Sequence, residues 1–484
     1  MIATLAFRHL LVRKLRSLFL LLGFSLGVGV MIVLLSVGEA MLDQSRDVSL
    51  IGGGELTVLP QGIDIEAMRT GGVGGMFFGI DRARFLTRQV LGGARHQGRV
   101  QVVSPAIEGK LLYLRHGGRT LPVRAGGEIP SRARALGSGL AVRSGRWQDS
   151  QADSAYINPV PQRFYDELDH FHLPSRPDST WGEWHYFNLV LSPDEWWYIT
   201  YLIGGEVPGG DWGGQLLITR RRRDGRYERF TTRAPSDRVE FDTARADLTI
   251  SQSTVRQRDG TYRLHAEAEG KGRTVQIDLT LVPAPNRYFP PVELSDDPFR
   301  SGYVVPALSA KASGRICLAG KCRGFTNVAA YHDHNWGVWQ DVTWEWGTGG
   351  GSRFNILYGG VYRSEAGAAS ESSSLGSPFF LTLVDSLGVK QVLRFARIRY
   401  QGRQPASGST GATAPTEFSL IGTRESDSVQ LAVEVLDALA TEMRASEFRR
   451  VFLQMRGRFT LSGKVAGQAV ADSGMGFFET YVTE

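Results

Sequence analysis

Three patterns of apolar and polar positions follow one another along the chain. From Leu18 to Val37 (LFLLLGFSLGVGVMIVLLSV) no charged residue occurs, and the run is long enough to cross a bilayer as one helix. A mixed region follows, with Gly-rich stretches such as GGVGGMFFG at 71–79 that read as turns. From Trp181 onward the chain breaks into short segments rich in aromatic and β-branched residues, among them EWHYFNLVL, EWWYITYLIGG, YRLHAEAEG and TVQIDLTLVP. A second series runs through FNILYGGVY, PFFLTLVDS, SVQLAVEVLDA, RGRFTLSGKV and GMGFFETYV. Strand upon strand at this spacing, punctuated by Gly, Pro and Asp-Gly, predicts two tandem β-barrels or sandwiches. The expected organisation is a basic segment with a membrane anchor at 1–43, a small α+β stalk at 44–165, and β domains at 166–330 and 331–484.

Charge orients the apolar run. Arg8, Arg13, Lys14 and Arg16 precede it, and Glu39 and Asp43 follow. By the positive-inside rule the N-terminus stays in the cytoplasm and the rest is exported, which predicts a single-pass protein of a bacterial inner membrane facing the periplasm. A cleaved signal peptide has a shorter apolar region and a small-residue cleavage site, and neither is present. Gly23 and Gly27 form a G-x-x-x-G that lets a second helix approach closely, although glycine is also simply common in membrane spans.

Composition changes the picture little. Of 484 residues, 42% are hydrophobic and 21% charged, as in ordinary globular proteins, and 58 Gly suit turns better than long helices. The net charge of +6 is clustered, notably at Arg220 to Arg223, where RDG marks the tip of a solvated hairpin. Nucleic acid is not an expected partner.

Cys317 and Cys322 sit in GRICLAGKCRGF. If Ala319-Gly320 is a two-residue turn, the two cysteines lie directly opposite each other, at a spacing a disulfide can bridge. An exported location lets such a bond persist.

Residues 331–340, YHDHNWGVWQ, concentrate candidate chemistry in a chain with 9 His. On a strand Tyr331, Asp333 and Asn335 share one face, and His332, His334 and Trp336 the other. Three readings compete. His332 and His334 could ligate a metal, with Asp169-His170-Phe171-His172 offering a second pair, but nothing in the sequence says that the pairs meet, and no metal is assigned. Alternatively, the polar residues pin an interface. In the third reading Asp333, desolvated and held by Tyr331, stays protonated and delivers its proton to a carbon–carbon double bond. The aromatic faces that could steady a carbocation and line an apolar site are Trp184, Trp197, Trp336, Trp339 and Trp344, with Trp346 beyond.

AAYHDHNWG, together with the stretches at Glu183–Tyr186 and Glu195–Tyr198 and the terminal GMGFFE, resembles the carotenoid 1,2-hydratase (hydroxyneurosporene synthase) family and its AttH-like relatives. The resemblance spans Trp181 to Glu484. It implies two lipocalin-like barrels and, in hydratase members, water addition to an isoprenoid double bond without a cofactor. Carried over by motif, Tyr331 and Asp333 become the proton-donating pair, with His332 and His334 beside them. The first third, through LAFRHLLVRKLRSLFLLLGFSLGVG and GGGELTVLPQGID, resembles the start of ABC-transporter permeases of the lipoprotein-release and macrolide-export type. Such permeases carry further spans, absent here, so a stalk rather than a channel is implied. The G-x-S-x-G match, Gly23–Gly27, lies inside the apolar run rather than at a strand-to-helix elbow, and no H-E-x-x-H or P-loop occurs, which leaves serine-hydrolase, zincin and nucleotide-driven chemistry without support. Two functions stay open: acid-assisted hydration or isomerisation of an apolar isoprenoid or lipid, and non-enzymatic lipid carriage beside an ABC-type export complex.

Overall fold

The computed structural model describes residues 14–49, 80–96, 98–136, 148–157, 168–174, 176–296, 299–338, 342–363, 379–409, 411–443 and 450–483, with single positions at 56 and 58. The chain divides into two compact units, Met1–Leu91 with Gly98–Pro159, and Gly92–Gln97 with Val160–Glu484. The first contains helix α1 (Lys14–Ser49), helix α2 (Ile80–Gly92), the antiparallel hairpin β1 (Ala106–His116) with β2 (Arg119–Glu128), and helix α3 (Pro130–Ala135). Among the described residues no helix is long and apolar enough to cross a membrane, so the anchor expected at Leu18–Val37 is not shown. The Gly-rich stretch 71–79 lies outside the described residues.

The second unit is built of strands. β3 (Trp181–Ser192), β4 (Glu195–Gly205), β5 (Trp212–Arg221) and β6 (Tyr227–Pro235) pair as consecutive hairpins. Short strands β7 (Val239–Phe241), β8 (Asp247–Ile250) and β9 (Ser253–Arg258) lead to β10 (Thr261–Gly270) and β11 (Arg273–Pro283). After β12 (Phe289–Asp296) come the long strands β13 (Phe299–Leu318) and β14 (Lys321–Val338). β14 pairs with β3, and β10 pairs with both β6 and β11, which closes a barrel through β3–β6, β10, β11, β13 and β14.

A second closed barrel follows. β15 (Val342–Gly351), β16 (Asn355–Arg363), β17 (Phe379–Asp385) and β18 (Gly388–Phe395) form a meander. The short β19 (Arg399–Gln401), β20 (Gln404–Pro405) and β21 (Thr413–Ala414) precede β22 (Glu417–Arg424), β23 (Asp427–Met443), β24 (Arg450–Val465) and β25 (Gln468–Thr483). Pairings β15–β25 and β18–β22 close the ring. The tandem barrels are as expected. The divide drawn between 330 and 331 falls inside β14, however: YHDHNWGV is the last stretch of the first barrel.

Burial along each strand shows how the barrels meet. β10 and β11 alternate buried and more exposed positions, as strands with one wet face do. β4 opens with five consecutive buried residues and β17 has six, so both their faces are covered. On β17, Phe379, Leu381 and Leu383 fill the second barrel, while Phe380 and Val384 join Tyr331, Tyr303 and Phe289 in a separate cluster. β14 is exposed at its start and buried over 330–334, where it enters this seam. A strand that lines a barrel and abuts its neighbour loses the period-two signal.

Polar contacts lock the seam. Arg221 and Arg456 both pair with Asp437, at 3.1 and 2.8 Å, and Tyr227 donates to the same carboxylate at 2.6 Å. The Arg456 guanidinium also lies 5.3 Å over the Trp196 ring. The charge run expected at a solvated tip is therefore split, with the Arg223 side chain 70% exposed and that of Arg221 only 9%. The tip itself uses Gly225 at φ 79, with Gly225 N–H donating to the Arg222 carbonyl, in a loop longer than the two residues that RDG suggests.

The cysteine hairpin matches expectation. Cys317 opposes Cys322, Leu318 opposes Lys321, and the cysteines form a disulfide. Ala319 and Gly320 both have positive φ, 50 and 79, as a two-residue hairpin turn that follows the strand twist requires.

Candidate functional site

β14 lies between β13 and β3, and its register assigns the decapeptide to two environments. Tyr331 opposes Asn188, Asp333 opposes Tyr186, and Asn335 opposes Trp184. On the alternate positions His332 opposes Phe187, His334 opposes His185, and Trp336 opposes Glu183. Directly opposed residues share a face. The first set faces the second barrel, since Tyr331 belongs to the seam cluster with Leu357, Phe380 and Val384. The second set faces the interior of the first barrel.

The interior set is a polar cluster with no water-facing surface at its centre. Asp169, His332 and His334 are 0% exposed. Asp169, from the segment before β3, is 2.9 Å from His332 Nε2 and 2.7 Å from His334 Nδ1, and Tyr262 donates to it at 2.9 Å. On its other side, His334 Nε2 lies 2.7 Å from Glu183 Oε1. Glu183 also accepts the His172 backbone N–H at 2.8 Å. The His172 ring stacks on Trp336 at 3.5 Å between centroids. Burial alone would lower the pKa of His334, but Asp169 and Glu183 outweigh it and hold it up at about 9. Burial would also raise Asp169, yet His332, His185 and His334 hold it well below the usual carboxylate range. His172, with less support, is pushed down by burial to about 4.

The seam set has the opposite electrostatics. Asp333 is 3% exposed and has no ion pair to a described residue. Burial pushes its pKa up to about 8; Tyr331 and Asn335 oppose that rise, and the charge of Glu479 adds to it. The Asn335 amide donates to Asp333 at 2.8 Å, and Trp346 Nε1 donates to the Tyr331 hydroxyl at 3.2 Å. Glu479, on β25, is raised by burial against the hydrogen bonds from Trp344 (3.1 Å) and Gln454 (3.2 Å). Aromatic rings surround these acids: Tyr186 lies edge-on to Tyr331, Trp346 edge-on to Tyr303, and Phe477 edge-on to Trp196 and Tyr198. Asn188 is 1% exposed, and neither its amide nitrogen nor its oxygen has a partner among the described residues. An acid kept neutral beside a tyrosine, among aromatic faces, can give up a proton into an apolar medium.

The structure sorts the expected residues. Tyr331 and Asp333 meet in the seam, and Trp184 and Trp344 face each other there at 6.1 Å. His332 and His334 cannot share a reacting group with Asp333, because they point to the other side of the sheet. Trp336 and Trp197 are likewise inside the first barrel; Trp197 lies under Arg220 at 5.2 Å, while its neighbours Trp196 and Tyr198 face the seam. They are core residues of that barrel rather than ligand contacts beside Asp333. Trp339 lies outside the described residues. Of the second histidine pair, His172 reaches the first, through Glu183, and the adjoining Asp169 reaches His334, while His170 packs on His172. Glu479 and Asn188 went unnoticed in sequence. A Glu on the same strand face as Phe477 and Tyr481, and an Asn flanked by Phe187 and Leu189, are the signals that mark them.

No family model matches the chain, and no curated protein does. Solved structures resemble it in part. An AttH-like protein of Nitrosomonas europaea is 16% identical, with TM-score 0.45 over 66% of this chain and 96% of its own. CghA in complex with Sch210972 is 10% identical, with TM-score 0.46 over 66% of this chain and 95% of its own. Kievitone hydratase of Nectria haematococca is 14% identical, with TM-score 0.40 over 65% of this chain and 94% of its own.

Proposed function

We propose that the seam between the barrels is an acid-catalytic site that hydrates or isomerises an electron-rich double bond of an apolar, isoprenoid-like lipid. The observation that carries this reading is the Asp333 carboxyl: buried beside the Tyr331 hydroxyl, without an ion pair to a described residue, and walled by aromatic rings. Asp333 gives its proton to one alkene carbon, and the cation left on the neighbouring carbon is steadied by the faces of Trp346, Tyr186 and Tyr198. Water adds to that cation and loses a proton to the Asp333 carboxylate, which restores the acid; the sum is alkene plus water to alcohol. In an isomerisation the same carboxylate removes a different proton. The reading includes membrane attachment through Leu18–Val37, supported by charge asymmetry and by exposed Leu21, Phe24, Leu26 and Leu34.

The test compares wild type with Asp333→Asn in heavy-oxygen water, using a panel of isoprenoid alkenes and mass spectrometry. Label should enter product with wild type, and Asp333→Asn should lower turnover by about a hundredfold or more, the scale of losing a general acid. Unchanged turnover in the variant would show the acid to be another group. Co-purifying lipid with neither label nor a shifted double bond in either protein would make the barrels a carrier.

A further inference from the structure

Asp169 and Glu183 are two carboxylates sealed inside the first barrel, and their ion-pair partners among the described residues are all histidines. Their charge must be balanced by added protons or by a cation, because a buried unpaired carboxylate is very costly. The proton-balanced arrangement has a defect. His185 is 2% exposed, and its Nδ1 has no hydrogen-bond partner among the described residues, although it sits 3.6 Å from Asp169 Oδ2.

We propose that Asp169, His185 and His334 form a binding site for a borderline first-row divalent cation, zinc before others, inside the first barrel. Their donor atoms lie within 4.8 Å of one another, all on buried residues. Two imidazoles and a carboxylate are a donor set that suits zinc. Bonds of about 2 Å to a tetrahedral ion place donors about 3.3 Å apart. His185 Nδ1 lies 3.6 Å from Asp169 Oδ2 and His334 Nδ1 2.7 Å from Oδ1, so the two imidazoles approach different oxygens of the carboxylate, and an ion held by all three residues needs that carboxylate to turn or to bind through both oxygens. The ion takes the orphaned His185 Nδ1 as a ligand, and its two positive charges offset Asp169 and Glu183.

The surroundings are those of ligands already oriented. With Nδ1 of His334 on the metal, its Nε2–H donates to Glu183 at 2.7 Å, the carboxylate–histidine pairing typical behind metal ligands. Tyr262 and His332 brace the Asp169 carboxylate. A rival set, His172 with Glu183 and His334, is also close enough. It would leave His185 Nδ1 without a partner among the described residues. The site lies on the face of β14 opposite Asp333, so it stands apart from the proposed catalysis.

The experiment uses the full chain in mild detergent, purified without chelator and, separately, refolded with zinc. One equivalent of zinc is expected, with a lower thermal midpoint after chelation, and with cobalt giving the visible absorption of a four-coordinate ion. His185→Gln should weaken zinc binding by more than the about 10–100-fold that loss of an outer partner costs, and Glu183→Gln by about that amount. Absence of stoichiometric zinc and cobalt after both loading routes overturns the proposal whatever the variants do. Full zinc content in folded His185→Gln overturns the ligand assignment.

Discussion

Neighbouring residues of β14 meet opposite fates. His332 and His334 point into the first barrel and find carboxylates; Tyr331 and Asp333, one position away, point into the seam and find rings and another acid. On the inner face the charged forms of Asp169 and His334 are favoured, because each meets an opposite charge at hydrogen-bond distance, whereas burial pushes His172 and His185 towards the neutral form. On the seam face the neutral form of the acid wins, because desolvation and the charge of Glu479 outweigh the hydrogen bonds of Tyr331 and Asn335 and the opposing charge of His334. The difference teaches that polarity alone does not mark a catalytic residue. In the proposed reading the more heavily charged face is the structural one, and the less charged face carries the reactive proton.

The sharpest way to break this comparison is His334→Leu. It leaves Asp169 and Glu183 facing each other without the group between them, whether their charge is balanced by protons or by a cation. Losing one partner of a buried pair costs about 3–5 kcal/mol. Urea unfolding of the variant should show a loss of that order, with Asp333→Asn far milder. A His334→Leu protein as stable as wild type would mean that the inner cluster is not holding the barrel.

A second buried acid extends the comparison to the other barrel. Glu345, on β15, accepts from Tyr400 at 2.6 Å and from Thr480 at 2.8 Å, and burial still pushes its pKa from 4.5 up to about 7. Because the folded value exceeds the unfolded one, this group costs nothing below about pH 4.5, where both states are protonated. The cost grows as pH rises towards 7 and is constant above it, reaching about 3 kcal/mol at about 1.4 kcal/mol per unit. Glu345→Gln should match wild type in stability near pH 4 and exceed it by that order near pH 8. A pH-independent difference between the two would show that the folded barrel leaves the Glu345 carboxyl unshifted, and a wild-type advantage growing above pH 4 would show it depressed, as Asp169 is.

Much of this was legible before the structure. Strand periodicity predicted the two tandem barrels, the Ala-Gly turn predicted the cysteine pairing, and alternation predicted which residues of YHDHNWG share a face. Three things were not. Alternation says which residues go together but not which face is inside, so His332, His334, Trp336 and Trp197 were grouped with Asp333 when they line the barrel lumen. Long-range partners leave no local trace: Asp169 meets His334 across 165 positions, and Glu479 reaches Trp344 across 135. Finally, charge runs read as solvent when their partners are distant, as with Arg221 and Asp437.

The smallest expected effect probes the seam itself. Asn188 lies beside Tyr331 in register, is buried, and has neither amide atom paired among the described residues. In an empty, closed seam such a side chain is a defect, since an unsatisfied buried amide costs about 1–3 kcal/mol. Asn188→Leu removes both orphan atoms at similar volume and should raise stability by about 1 kcal/mol, read from the urea midpoint at unchanged slope. The same substitution should lower retention of a lipid that offers Asn188 a polar group, such as the hydroxyl of a hydrated product, because only the amide can pair with it. Higher stability with weaker product binding is therefore the signature of a seam built for a ligand with one polar end. Lower stability in Asn188→Leu would mean that the amide is satisfied in solution and that the seam is a packed interface rather than a site.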